Sequence, residues 1–236
     1  MTTPASPPGV IYDTRHAAAY ERKIRELIPG YELLHTLSAQ LLASLLPETA
    51  NILVAGSGTG EEITRLGTQM PCWRFTAVEP AEAMNTLALA HWSSKGLADR
   101  ITLLPDRLGE EKTTELHDAA LALLVMHFVP DDGGKAQFLK ALASRLKAGG
   151  VCLLADLTGA PGEPVFEQGM RVWMGQQQAS GRAVERVAED FARLRDSVFP
   201  VSEPRLSALA RGAGLGLVGC YWQALNLRAF QLRKLT

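Results

Sequence analysis

An α/β fold built on a mostly parallel sheet is what this sequence predicts, on three observations. From residue 51 onward, short apolar runs alternate with helix-compatible segments. The run Ala119–Met126 is almost uninterruptedly apolar, as a central strand covered on both faces should be. The first apolar run stops in a glycine-rich turn that leads into a helix-compatible segment. Repeated β-then-α order implies parallel strands joined by right-handed crossovers.

The elements follow in order. Residues 1–10, rich in Pro, Thr and Ser, read as a flexible tail before a single domain over 11–236. N-terminal helices fill 11–46: Ala17–Ile28 and Tyr31–Leu46, broken at Pro29-Gly30. The second carries Leu33, Leu34, Leu37, Leu41, Leu42, Leu45 and Leu46 in helical period. Asn51–Ala55 is the first strand and a helix starts at Glu61. A strand over 73–79, a helix over 81–95, a strand over 101–105 and the central strand 119–126 come next. Lys135–Leu146 is a helix stopped by Ala148-Gly149-Gly150, and Val151–Leu157 is the fifth strand. The rhythm then changes. A loop at 161–164 opens a helical insertion over 160–200, with helices near 164–178 and 182–197. Ser202–Gly212 is the last helix, and Leu215–Asn226 with Ala229–Lys234 closes the chain as a β-hairpin.

Composition narrows the function. A chain of 236 residues that is 47% apolar has the material for a core and is not disordered. A net charge of −1 sets up no broad field for nucleic acid, so RNA, although possible, is not indicated by charge. Cys72, Cys152 and Cys220 are odd in number and show no C-x-x-C spacing, which favours a reducing cytoplasm over a disulfide framework. The N-terminus has no basic and apolar signal pattern, and no apolar run reaches membrane-spanning length, so a cytoplasmic protein without membrane association is expected. No metal-ligand cluster of useful spacing is present, and no metal is expected.

The cofactor pocket is read from three strand ends. Gly56, Gly58 and Gly60 form G-x-G-x-G, and bare backbone there admits a ligand closely. The dinucleotide fingerprint G-x-G-x-x-G would need a glycine where Glu61 stands. Glu61 and Glu62 suit the positive end of a helix but repel a pyrophosphate lodged there. A sulfonium with a zwitterionic tail tolerates them better, which argues for S-adenosylmethionine (SAM). Glu79 ends the second strand 21 residues after Gly58, in register to bind ribose hydroxyls. Asp106 ends the third, placed to accept a hydrogen bond from an adenine amino group.

These residues resemble the class I SAM-dependent methyltransferase family over nearly the whole chain, from about Tyr12 to the end. The motifs that carry the resemblance are Val54-Ala55-Gly56-Ser57-Gly58-Thr59-Gly60, Ala77-Val78-Glu79-Pro80, Leu104-Pro105-Asp106 and Leu146-Lys147-Ala148-Gly149-Gly150. The resemblance implies a Rossmann-like seven-stranded sheet of order 3-2-1-4-5-7-6, with strand seven antiparallel. It implies a cofactor-binding set of Tyr31, Ala55, Gly56, Ser57, Gly58, Gly60, Glu79, Pro80, Met84, Asp106, Arg107 and Val125, with S-adenosylhomocysteine as product. Ala55 and Ser57 depart from the residues most frequent at those positions. Within the family the chain is most similar to the branch containing carboxy-SAM synthase, an enzyme of tRNA modification. The similar pieces are Ile28-Pro29-Gly30-Tyr31, the insertion after strand five, and Ala213-Gly214 before the closing hairpin. That likeness puts Tyr31 over the cofactor. The synthases pair the extra carboxylate with an arginine on the last helix, where this chain has Leu209 and where Arg205 and Arg211 are off register.

Ordinary methyl transfer to a small-molecule acceptor is therefore expected. A carboxy-SAM synthase-like or tRNA-modifying enzyme and a non-catalytic SAM-binding protein are the alternatives. Methyl transfer needs alignment above all. Where the acceptor is a hydroxyl or ammonium, a base helps, and His127, just past the central strand, is the candidate catalytic residue. His35 and His16 are weaker candidates. Tyr12 and Tyr20 are candidates to close over the cofactor, and Arg15 and Arg22 to meet its carboxylate. Trp173 and Trp222 are expected either inside the fold or at a homodimer contact.

Overall fold

The computed structural model describes residues 23–236. The expected tail, the start of the first helix, and Tyr12, Arg15, His16, Tyr20 and Arg22 lie outside the described residues. A helical stretch at 23–27 precedes α1 (Tyr31–Leu45), β1 (Asn51–Ala55), α2 (Glu61–Gln69), β2 (Arg74–Val78), α3 (Glu82–Ser94), β3 (Ile101–Leu104), β4 (His117–Leu123), α4 (Gly134–Ser144) and β5 (Leu146–Leu157). Then come α5 (Pro164–Ala179), α6 (Val184–Ser197), α7 (Glu203–Gly212), β6 (Leu215–Ala224) and β7 (Leu227–Lys234). Single 3₁₀ turns lie at Ala98–Arg100 and Met126–Phe128. No helix among the described residues is long and apolar enough to cross a membrane.

The seven strands form one sheet in the order β3-β2-β1-β4-β5-β7-β6. All pairings from β3 to β5 are parallel, and β7 runs antiparallel to both β5 and β6. Alternate residues feed two cores. Ile52, Val54, Leu121 and Leu153 pack under α1, α2 and the 164–197 helices. Leu53, Ala55, Ala120, Cys152 and Leu154 pack against α4 and α7. Burial on both faces explains why these strands are apolar runs and not alternating ones. Order reverses between β1 and β4, so the β1 and β4 tips flank the crevice where such sheets bind ligands.

The central strand and the fifth strand have bounds that differ from expectation, and the end of the central strand matters for the site. The central strand spans 117–123, not 119–126. Its early start rests on His117, which is fully buried because Thr76 Oγ1 lies 2.9 Å from Nε2 and the backbone N–H donates to Arg145 O. Its early end comes at Leu124, which takes φ 61° and donates its N–H to Ala155 O at 2.6 Å. A leucine in the left-handed region costs of order 1 kcal/mol or more and turns the chain sharply at the crevice. β5 starts five residues earlier than expected, at Leu146, already paired to His117. Ala148-Gly149-Gly150 is absorbed as an irregularity within the strand and is not a stop before it.

The insertion is tied down from both sides. Trp173 Nε1 donates to Leu27 O at 2.7 Å, and Gln177 Nε2 donates to Glu26 O and Leu27 O. The Trp173 ring meets Phe191 edge-on with centroids 5.1 Å apart. At its other end the two-residue β6–β7 turn, Leu225-Asn226, docks on it through Asn226 Nδ2 to Phe166 O at 2.9 Å, while Thr158 N–H donates to Asn226 O. Trp222 packs against Gly30. Both tryptophans are thus buried inside the chain.

Candidate functional site

The glycine loop leaves β1 under firm constraint. Gly56 and Ser57 both donate their N–H to Val78 O on the neighbouring strand tip, and Gly60 N–H donates to Ser57 O. All three glycines have positive φ, but they face different surroundings. A Cβ on Gly56 would lie 2.6 Å from Val125 Cγ2, and one on Gly60 2.4 Å from Trp92 Nε1. A Cβ on Gly58 would meet nothing within 4 Å. Gly58, at φ 50°, is where a ligand can lie against naked backbone. The loop is propped from below by α3, through Trp92 Nε1 to Gly60 O at 3.2 Å and the His91 ring against Thr59 O.

Glu79 reaches from the β2 tip into this loop. Its Oε2 accepts from Gly58 N–H at 3.0 Å and its Oε1 from Ala81 N–H at 2.9 Å. Each oxygen keeps capacity for a hydroxyl donor. Burial pushes the Glu79 carboxyl up, while the Ala81 and Gly58 amides pull it back. Asn85 on α3 holds the Glu79 carbonyl at 2.9 Å. Ser57 Oγ and Asn85 Oδ1 are buried without a protein partner. Orphaned polar atoms beside an open glycine call for a polar ligand or water. This donor and acceptor set fits a nucleoside with free ribose hydroxyls, so the residues present fit SAM.

The remaining predicted residues fall around it. Ala55 is the last residue of β1 and is buried. Pro80 follows Glu79, and Met84 is buried one turn into α3. Asp106 and Arg107 follow the β3 tip, Asp106 half-buried and Arg107 exposed. Val125 is brought against Gly56. Tyr31 opens α1, its ring 4.3 Å from His35 with Arg25 above it at 5.6 Å. Arg25 pairs with Glu61 at 2.7 Å and with Glu32, and Arg65 pairs with both acids, which ties Tyr31's helix to the start of α2. His35 lies on α1 beside Tyr31. Burial holds it down to about 4, and its Nδ1 is 4.0 Å from Glu62 Oε1, too long for a hydrogen bond.

His127 sits in the turn after β4 and is 7% exposed, its ring tilted on Phe128 at 4.2 Å. Asp156, at the β5 tip, accepts from both its backbone N–H at 3.0 Å and its Nδ1 at 2.7 Å, through the same Oδ1. A carboxylate only accepts, so the tautomer protonated on Nδ1 is the one that satisfies this contact, and it leaves the lone pair on Nε2. Nε2 has no partner among the described residues. The sequence-based set did not contain Asp156, Asn85, Trp92 or Lys135. Asp156 was legible, since it ends a strand in a carboxylate just as Glu79 and Asp106 do. The others carry no local signal. Leu209, the position compared with the synthase arginine, is buried on the α4 and α7 side, and Arg205 is held bidentate by Asp131 at 2.9 and 3.0 Å.

Residues 53–152 match the family described as a methyltransferase domain. The matched span runs through the glycine loop, Glu79 and Asp106, and there the chain is similar to that family. The chain is 22% identical over 227 residues to the carboxy-S-adenosyl-L-methionine synthase of Campylobacter hominis, with 94% of both chains covered. It resembles an O-methyltransferase family protein from Burkholderia thailandensis with TM-score 0.65 at 14% identity, over 95% of this chain and 61% of that one. An O-methyltransferase of neocarzinostatin biosynthesis, in complex with SAM and 2-hydroxy-5-methyl naphthoic acid, matches with TM-score 0.59 at 15% identity, over 94% and 59% of the two chains. These structural likenesses are of fold. The chain spans about six-tenths of the length of these two solved structures.

Proposed function

We propose that the chain transfers a methyl group from SAM to a hydroxyl of a small-molecule acceptor, with His127 as general base. The observation that carries this is the His127–Asp156 pair at the crevice, with Nδ1 held at 2.7 Å and Nε2 bare. SAM, when bound, supplies an electrophilic methyl on a cationic sulfur that departs as a neutral thioether. The chain's own task is to hold the partners in line, which alone is worth roughly 7–11 kcal/mol. Gly58 offers open backbone, Glu79 accepts from ribose hydroxyls, Asp106 accepts from the adenine amino group, and Tyr31, Ala55, Gly56, Ser57, Gly60, Pro80, Met84, Arg107 and Val125 complete the wall. His127 Nε2 takes the acceptor's proton, and Asp156 stabilises the imidazolium that results. Hydroxylated aromatic acceptors suit this arrangement, because Phe128, against the His127 ring, keeps 39% of its surface exposed.

The test uses a panel of catechols and phenols with isotopically labelled SAM. His127→Gln should lower kcat by ~10²–10⁴-fold and leave SAM affinity unchanged. An unaltered kcat would remove His127 from the chemistry. A second reading, carboxy-SAM synthesis, is favoured by the 94% mutual coverage with the Campylobacter hominis synthase. Mass spectrometry of the co-purified nucleoside separates the two, because a carboxymethyl sulfonium is heavier than a methyl one.

A further inference from the structure

Lys135 stands at the start of α4 and is 1% exposed. Lysine is almost never buried this completely without compensation. Its Nζ donates to Met126 O at 2.7 Å, a carbonyl that also accepts the Val129 N–H at 2.9 Å. The amide on the other side of that same peptide bond is His127 N–H, which donates to Asp156 Oδ1. One peptide unit is therefore gripped at its oxygen by an ammonium and at its nitrogen by a carboxylate. The carboxylate oxygen that holds the amide also holds the imidazole. Asp156 Oδ2 is buried with no hydrogen-bond partner, so the buried ammonium is the positive charge that offsets it.

We propose that Lys135 is a positioning residue of the methyl-transfer site: through the Met126–His127 peptide it fixes the turn that carries His127, and its charge stands opposite the buried Asp156 carboxyl that holds the imidazole. This rests on the reading of His127 as the base. The charged groups facing the cluster are Asp156 from β5, Lys135 from α4, and Asp131 from the intervening loop, itself paired with Arg205 of α7. The 198–201 link between α6 and α7 contributes a backbone contact, Phe199 N–H to His127 O at 2.7 Å. Burial pushes the Lys135 ammonium down, and the nearby Asp156 and Asp131 carboxylates pull it back up. An opposite charge favours the imidazolium and a like charge disfavours it. Asp156 and Lys135 thus act on His127 in opposite directions.

The test reads the imidazole itself. The ¹³Cε1 shift of His127, assigned with His127→Gln, is followed in histidine-labelled protein from about pH 5 to about pH 9. In Lys135→Met the His127 midpoint should rise by on the order of one pH unit, because the like charge is gone. Lys135→Arg should restore most of the difference, and Asp156→Asn should move the midpoint down. A midpoint in Lys135→Met that matches the unmodified protein overturns the proposal. If Lys135→Met does not fold by circular dichroism, Lys135→Gln, which keeps a donor for Met126 O but no charge, makes the same comparison. The base reading fails separately, on retained turnover in His127→Gln.

Discussion

Each residue of the glycine loop has its own physical task, and the three glycines show it best. Gly60 is excluded from carrying a side chain by Trp92, and Gly56 by Val125, both protein atoms. Gly58 is barred only by its φ of 50° and by whatever occupies the open space beside it. Gly60→Ala should therefore lower Tm, because an indole buried in the core must move. Gly58→Ala should cost about 1–2 kcal/mol of backbone strain but weaken SAM binding more than it lowers stability. Calorimetry with SAM and thermal melts on the pair decide this, and the opposite ranking would place the ligand elsewhere. Glu79→Ala removes the acceptor from both Gly58 and Ala81. A charge-assisted hydrogen bond is worth about 1.5–3 kcal/mol, so SAM affinity should fall roughly ten- to a hundredfold. Unchanged affinity would end the ribose role.

Among the elements, the insertion depends most on distant contacts. Its first helix, α5, touches residues 26–27 through Trp173 and Gln177 and the β6–β7 turn through Phe166. The closest fit is at Gly169, where an added Cβ would stand 1.6 Å from Asn226 Oδ1. Asn226 is itself buried and holds Phe166 O, so it has little room to yield. Gly169→Ala should destabilise the docking of α5 by about 1–3 kcal/mol. Limited proteolysis should then cut first within 164–197, while cleavage spread evenly over the chain would contradict the docking. None of this is visible in the local pattern of 164–178, which reads only as a helix.

At the scale of the molecule, the joint between α1 and α2 sets a pH dependence. Burial, with Glu61 and Glu79 adding their charges, raises the Glu62 carboxyl from 4.5 to about 8. The folded state therefore holds a proton that the unfolded chain releases. That contribution is fully present below 4.5 and is lost as pH rises through about 8. His35 opposite is pushed from 6.5 down to about 4, so its contribution is lost as pH falls from 6.5. Glu62→Gln should leave Tm nearly unchanged near pH 5 and raise it by on the order of 5 °C near pH 9. An equal Tm difference at both pH values would show that Glu62 does not titrate in this window.

The sequence by itself determined the β/α alternation, the glycine loop and the register of Glu79 with Gly58, because a strand, its turn and the next helix are contiguous and their signals are local. The strand order came from resemblance, and the sheet bears it out. Only the tertiary structure decided that His117 lies inside a strand, that Leu124 bends the chain at the crevice, and that Gly58 is the glycine with open space. It also brought Asp156 to His127 across 29 residues and set Lys135 beneath the same peptide. Those pairings arise where separate strands and helices meet, and a buried charge has meaning only once its partners and its distance from water are fixed.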